Sequence, residues 1–140
     1  MKLADTHCHL DFSAFDQCRK EVLLECCRQS VEMIIVPTVK KALWSKALAL
    51  SVEHASIGVA LGMHPYFIKD HMASDFLSLE KMLESESAIV GIGEIGLDAT
   101  VDAFPKQERY FTEQLILAEK YQLPVILHAR KAHAQVVRYL

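Results

Sequence analysis

Asp5-Thr6-His7-Cys8-His9-Leu10-Asp11 sets two histidines two residues apart between two aspartates. Side chains at i and i+2 of a strand share a face. His7 and His9 are therefore expected to point together, with Cys8 turned the other way, towards packing. That spacing lets two imidazoles reach one ion at about 2.0–2.2 Å. A single histidine at a strand end more often caps or hydrogen-bonds its surroundings. The pair, joined by Glu94 and His128 from two further strand ends, makes a metal site the stronger reading. Nitrogen and carboxylate donors without thiolates suit Zn²⁺, Mn²⁺, Fe²⁺ or Ni²⁺, and a carboxylate is able to bridge two ions. The chemistry on offer is activation of water by a bound metal, with polarisation of the scissile centre. Asp5, one step further back on the same face, is expected to orient an imidazole rather than to bind metal. Asp11 lies past the strand end and is given no metal role, and His54, His71 and His133 fall in helical or loop contexts and are given no role.

Five short apolar or alternating runs must carry these residues: 2–9, 32–38, 56–65, 88–96 and 123–129. Helical spacing fills the gaps over 16–30, 40–55, 74–86 and 105–122. Pro105 sits in the first turn of the fourth helix, where its missing N–H costs little. A fifth helix is expected to start within 131–140. Strands alternating with helices argue for a parallel sheet with helices packed outside it. Runs such as Met33–Pro37 are near-continuously apolar, as in strands covered on both faces.

A dinucleotide fold would need a glycine-rich turn directly after its first strand. Here the first strand ends in His-Cys-His-Leu-Asp. The G-x-G-x-x-G spacing of Gly91, Gly93 and Gly96 comes only in the fourth strand, holds Glu94 inside it, and does not lead straight into a helix. A barrel gathers polar residues at the C-terminal ends of its strands, and His7, His9, His64, Glu94 and His128 all fall there. The fold class is α/β, a (β/α)₈ barrel. Residues 1–140 are expected to form the N-terminal portion of one such domain, about the first four and a half βα units.

Composition narrows the function. Hydrophobic residues make up 51% and charged residues 24% of the 140, which is ample apolar material for a core. The net charge of −3 gives no basic footprint for nucleic acid, so a phosphodiester substrate would need its charge met by bound cations. Cys8, Cys18, Cys26 and Cys27 lack paired CxxC spacing and read as reduced thiols. With no apolar run near the ~20 residues that span a bilayer, and no secretory h-region, the expected location is the cytoplasm, with no membrane partner.

Four segments in order, "DTHCHLD", "GMHP", "GIGEIGLD" and "LPVILHAR", resemble the signature segments of TatD-type metal-dependent deoxyribonucleases over essentially the whole chain. The resemblance implies a metal-dependent hydrolase barrel that cleaves DNA phosphodiester bonds from an end, as a 3′–5′ exonuclease. It implies two divalent cations (Mg²⁺, Mn²⁺ or Zn²⁺), the first held by His7 and His9, the second by His128, with Glu94 bridging them as the catalytic carboxylate. It also implies that His64, Asp98 and Arg130 line the substrate pocket. The family continues for about as many residues again and supplies a further histidine after the sixth strand and an aspartate after the eighth. The 140 residues taken alone are therefore expected to be impaired in hydrolysis, and their uncovered edge strands invite self-association. Two other readings fit the same ligands. One is a related phosphoester or amide hydrolase, although such relatives often carry lysine where this chain has Glu94. The other is a catalytically silent half-barrel serving as a metal-binding or dimerisation module.

Overall fold

The computed structural model describes all 140 residues. Its strands are β1 (Leu3–Asp5), β2 (Val31–Pro37), β3 (Ile57–Leu61), β4 (Ile89–Asp98) and β5 (Val125–Arg130). The helices between and after them are α1 (Arg19–Arg28), α2 (Lys41–Glu53), α3 (Ser74–Ser85), α4 (Phe104–Tyr121) and α5 (His133–Val137). All neighbouring strands pair in parallel, in the order β1-β2-β3-β4-β5. A doubly wound sheet would reverse its strand order at a switch point. This sheet never reverses, which is the winding of a (β/α)₈ barrel.

The core lies between the sheet and α2, α3 and α4. Trp44, Phe111, Leu61, Leu79, Ile92, Ile95 and Leu97 are almost or fully buried there. Burial falls off towards the edges: every residue of β3 is buried, whereas all three residues of β1 are exposed. Close packing of the central backbones needs glycine at two places. A Cβ on Gly62 would lie 2.5 Å from the Gly93 carbonyl carbon, and one on Gly96, at φ 141°, would lie 2.0 Å from the His128 oxygen. The glycines of the fourth strand thus bring β3, β4 and β5 together and serve no nucleotide loop.

The first strand is shorter than its 2–9 pattern. It ends at Asp5, because the His7 N–H is taken by the Asp5 carboxylate (3.0 Å) rather than by β2, and the Cys8 N–H returns to the Ile35 carbonyl only afterwards (3.0 Å). The expected orienting role of Asp5 is corrected accordingly: it holds the His7 backbone, not an imidazole. Cys8 packs against the core, as its alternation predicted.

Candidate metal centre

Glu94 stands near the C-terminal end of β4 with little of its side chain exposed, and four imidazoles surround it. Its Oε2 lies 3.1 Å from His7 Nε2 and 3.6 Å from His9 Nε2, whereas its Oε1 lies 3.4 Å from His64 Nε2 and 3.2 Å from His128 Nδ1. One carboxylate therefore turns one oxygen to each pair of rings. Two groups of three donors share it: His7, His9 and Glu94, and His64, Glu94 and His128. The Glu94 N–H is fixed by the Thr38 carbonyl (2.9 Å).

Ring orientation separates the four histidines. His9 Nδ1 donates to the Pro37 carbonyl (2.9 Å), leaving its Nε2 lone pair aimed at Glu94. Burial pushes His9 down from the ordinary histidine range, against the pull of Glu94, and this favours the neutral ring that a ligand needs. His64 is the reverse case. Its Nδ1 accepts the Tyr66 N–H (2.9 Å), so in the neutral ring the proton sits on Nε2 and is donated to Glu94. His64 thus braces the carboxylate in this arrangement and offers no lone pair to a cation.

His128 stands between two carboxylates, with Nδ1 3.2 Å from Glu94 and Nε2 3.0 Å from Asp98. The Glu94 contact raises its pKa, against burial, and Asp98 adds to the rise. Burial alone would raise Glu94, but hydrogen bonds from His128 and His64 outweigh it and hold the carboxylate far below its usual range. Asp98 is likewise lowered despite burial, chiefly by Thr100, which donates through both N–H and hydroxyl. In the neutral ring, with Nε2–H donating to Asp98, His128 would turn an Nδ1 lone pair to the Glu94 side.

These donors fit divalent cations. An acidic oxygen with two imidazole nitrogens stands on one side of Glu94, its second oxygen with one imidazole nitrogen on the other, and no thiolate is present.

Comparison with known proteins gives the family. The model of the family described as TatD related DNase matches residues 4–140. The chain belongs to this family. An uncharacterised metal-dependent hydrolase, YjjV of Escherichia coli K12, is 37% identical over 142 residues, which cover 99% of the chain and 55% of that relative. A protein named 3′-5′ ssDNA/RNA exonuclease TatD, from Cronobacter turicensis, is 31% identical over 138 residues, covering 97% and 52%. The crystal structure of E. coli YjjV superposes with a TM-score of 0.93 at 36% identity, over 98% of this chain and 54% of that one. The chain thus spans about half the length of the TatD relatives it matches. An Entamoeba histolytica TatD-family structure, 20% identical with a TM-score of 0.86, shares the fold.

Within this TatD-type rim, His7, His9, His64, Glu94, Asp98 and His128 are all brought together. Asp98 is fully buried behind His128. Arg130 ends β5 two residues beyond His128, exposed and without a side-chain hydrogen bond. Three contributors went unnoticed in the sequence. Thr38 holds Glu94 through its carbonyl, and its hydroxyl accepts the Gly62 N–H (3.0 Å). As the polar last residue of the 32–38 run it was open to the same strand-end reasoning. Phe12 stacks on the His9 ring at 4.7 Å. His71, set aside as a loop residue, is buried with its Nε2 donating to the His64 carbonyl (2.9 Å). Neither of these last two carries a signal in spacing.

Proposed function

We propose that this chain carries the ligand half of a two-cation phosphodiesterase that releases nucleotides from the 3′ end of single-stranded DNA or RNA, in the cytoplasm. The observation that carries the reading is Glu94, with one oxygen facing His7 and His9 and the other facing His64 and His128. His7, His9, Glu94 and His128 would hold the divalent cations, which would supply Lewis acidity and activate water at neutral pH. The protein's own groups do the positioning. Pro37 fixes the His9 ring, and the buried Asp98 fixes His128 by accepting a hydrogen bond from its Nε2. His64 steadies Glu94 and, at the rim, faces the substrate. Arg130, exposed with its guanidinium uncommitted, contacts a substrate phosphate. The nucleic-acid substrate is supported by the name of the C. turicensis relative, and the reducing location by four free thiols. Glutamate rather than lysine at position 94 favours this reading over an amide hydrolase.

The exposed edge strand β1 and the exposed Leu127 of edge strand β5 support a further proposal, that copies of the 140 residues associate through these edges. The test of function is a 5′-labelled single-stranded oligonucleotide incubated with Mg²⁺ or Mn²⁺. Cation-dependent shortening from the 3′ end is expected, slower than in a full-length TatD relative and lost in Glu94→Gln. Shortening that survives chelation or Glu94→Gln contradicts the reading.

A further inference from the structure

Two glutamines of α4 are as buried as any apolar core residue: Gln107 is 1% exposed and Gln114 0%. Seven residues apart on a helix, they are separated by about 10.5 Å along its axis and share one face. Each brackets the backbone N–H and C=O of one residue, and its Nε2 reaches further carbonyls besides: Val101 (3.0 Å) and Asp102 (3.2 Å) for Gln107, Tyr110 (2.9 Å) for Gln114. Gln114 Oε1 accepts the Met63 N–H (2.7 Å) and its Nε2 donates to the Met63 carbonyl (3.4 Å). Gln107 Oε1 accepts the Asp98 N–H (2.8 Å) and its Nε2 donates to the Asp98 carbonyl (3.1 Å). Among uncharged side chains only a primary amide offers both an acceptor and donors in one plane, so each glutamine pairs with its target as a neighbouring strand would.

The targets are what give the pattern meaning. Met63 lies just past the end of β3 and immediately precedes His64. Asp98 is the last residue of β4, and its carboxylate holds the His128 ring. A buried amide is tolerated only when its hydrogen bonds are made. The polar face of α4 therefore fits one placement of the two strand ends and rejects slippage of either.

We propose that Gln107 and Gln114 are positioning residues: as two fixed points on one rigid helix, they set the separation between the His64 side and the Asp98–His128 side of the metal centre. The inference rests on the metal-centre reading for its consequence but not for its geometry, so the two are tested apart.

Methionine matches glutamine in length and removes its hydrogen bonds. In the metal-free protein, Gln107→Met is expected to move the NMR ring resonances of His128 more than those of His64, whose ring lies 4.2 Å away; Gln114→Met is expected to do the reverse. Leu117→Ala, a core truncation on the same helix, leaves both glutamine amides in place and should leave both rings unmoved. In a Co²⁺ titration, Gln107→Met should weaken the cation beside His128 by roughly 10- to 100-fold, and Gln114→Met by less. Gln107→Asn and Gln114→Asn keep an uncharged amide one methylene short of its target and cover the case of a methionine variant that does not fold; they should give the same selective pattern. Equal movement of both rings in every variant, or movement in Leu117→Ala matching the glutamine variants, overturns the proposal and leaves the glutamines as ordinary stabilising contacts. A wild-type chain that binds no Co²⁺ would sink the metal reading, while the ring resonances would still decide the clamp.

Discussion

The centre of the sheet and its edges make opposite contributions to one site. β3 and β4 are almost wholly buried, and they deliver His64, Glu94 and Asp98 with backbones held from several directions. β1 and β5 each have one strand neighbour, and they deliver His7, His9 and His128 on partly exposed side chains. The shared carboxylate is therefore rigid, whereas the nitrogen donors around it sit on the less supported strands.

The sharpest way to break this contrast is to truncate one residue in each region. Leu61→Ala, at a fully buried position of β3, should cost about 2–5 kcal/mol in urea unfolding. Leu3→Ala on β1, 42% exposed, should stay within about 0.5 kcal/mol. Similar costs at both positions would mean that the edge is as firmly held as the centre.

Asp11 sharpens the comparison next. It sits in the turn that follows the two edge histidines, fully buried, and neither carboxylate oxygen has a partner. Burial pushes its pKa up to about 6. The folded state thus binds the proton more tightly than the unfolded state, and stability is lost as pH rises from about 4 through 6. Asp11→Asn should remove that slope and raise stability at pH 7 and above by about 1–3 kcal/mol. Urea midpoints that respond to pH identically in both proteins would contradict this.

Histidines on the two sides should have opposite pH signatures. His128 is raised by Glu94, so the stability it adds to the metal-free chain is present below about pH 6.5 and lost as pH climbs through its folded value. His71, buried beside the His64 carbonyl, is lowered by burial, and its contribution is lost as pH falls below about 6.5. Urea unfolding from pH 5 to 8 should therefore flatten at the alkaline side in His128→Gln and at the acid side in His71→Gln. The smallest effect expected is at Arg130. Arg130→Ala should weaken single-stranded DNA binding and reduce its salt dependence by about one phosphate's worth; unchanged affinity would remove Arg130 from the substrate contacts.

Much of this was legible in the sequence because strand-end chemistry is local. His7 and His9 do converge on one oxygen of Glu94, although the strand expected to align them ends at Asp5, and the alternation of runs placed every strand and helix in order. Boundaries at the edge were less legible. The His7 N–H goes to Asp5 instead of to β2, so β1 ends early although its pattern continues. Residues that act by gripping backbone were illegible. His71, Gln107 and Gln114 look like ordinary loop or helix polar residues until the chain brings Met63, His64 and Asp98 to them across as many as 51 positions.

Glu94 is proposed to be shared between two cation sites of unequal strength, one with His7 and His9, the other with His128. Mn²⁺ binding measured by calorimetry tests it most directly. Two cations per chain are predicted for the wild type, the tighter one lost in a His7→Ala, His9→Ala double variant and both lost or severely weakened in Glu94→Gln. A Glu94→Gln chain that binds Mn²⁺ with wild-type stoichiometry and affinity would contradict the account.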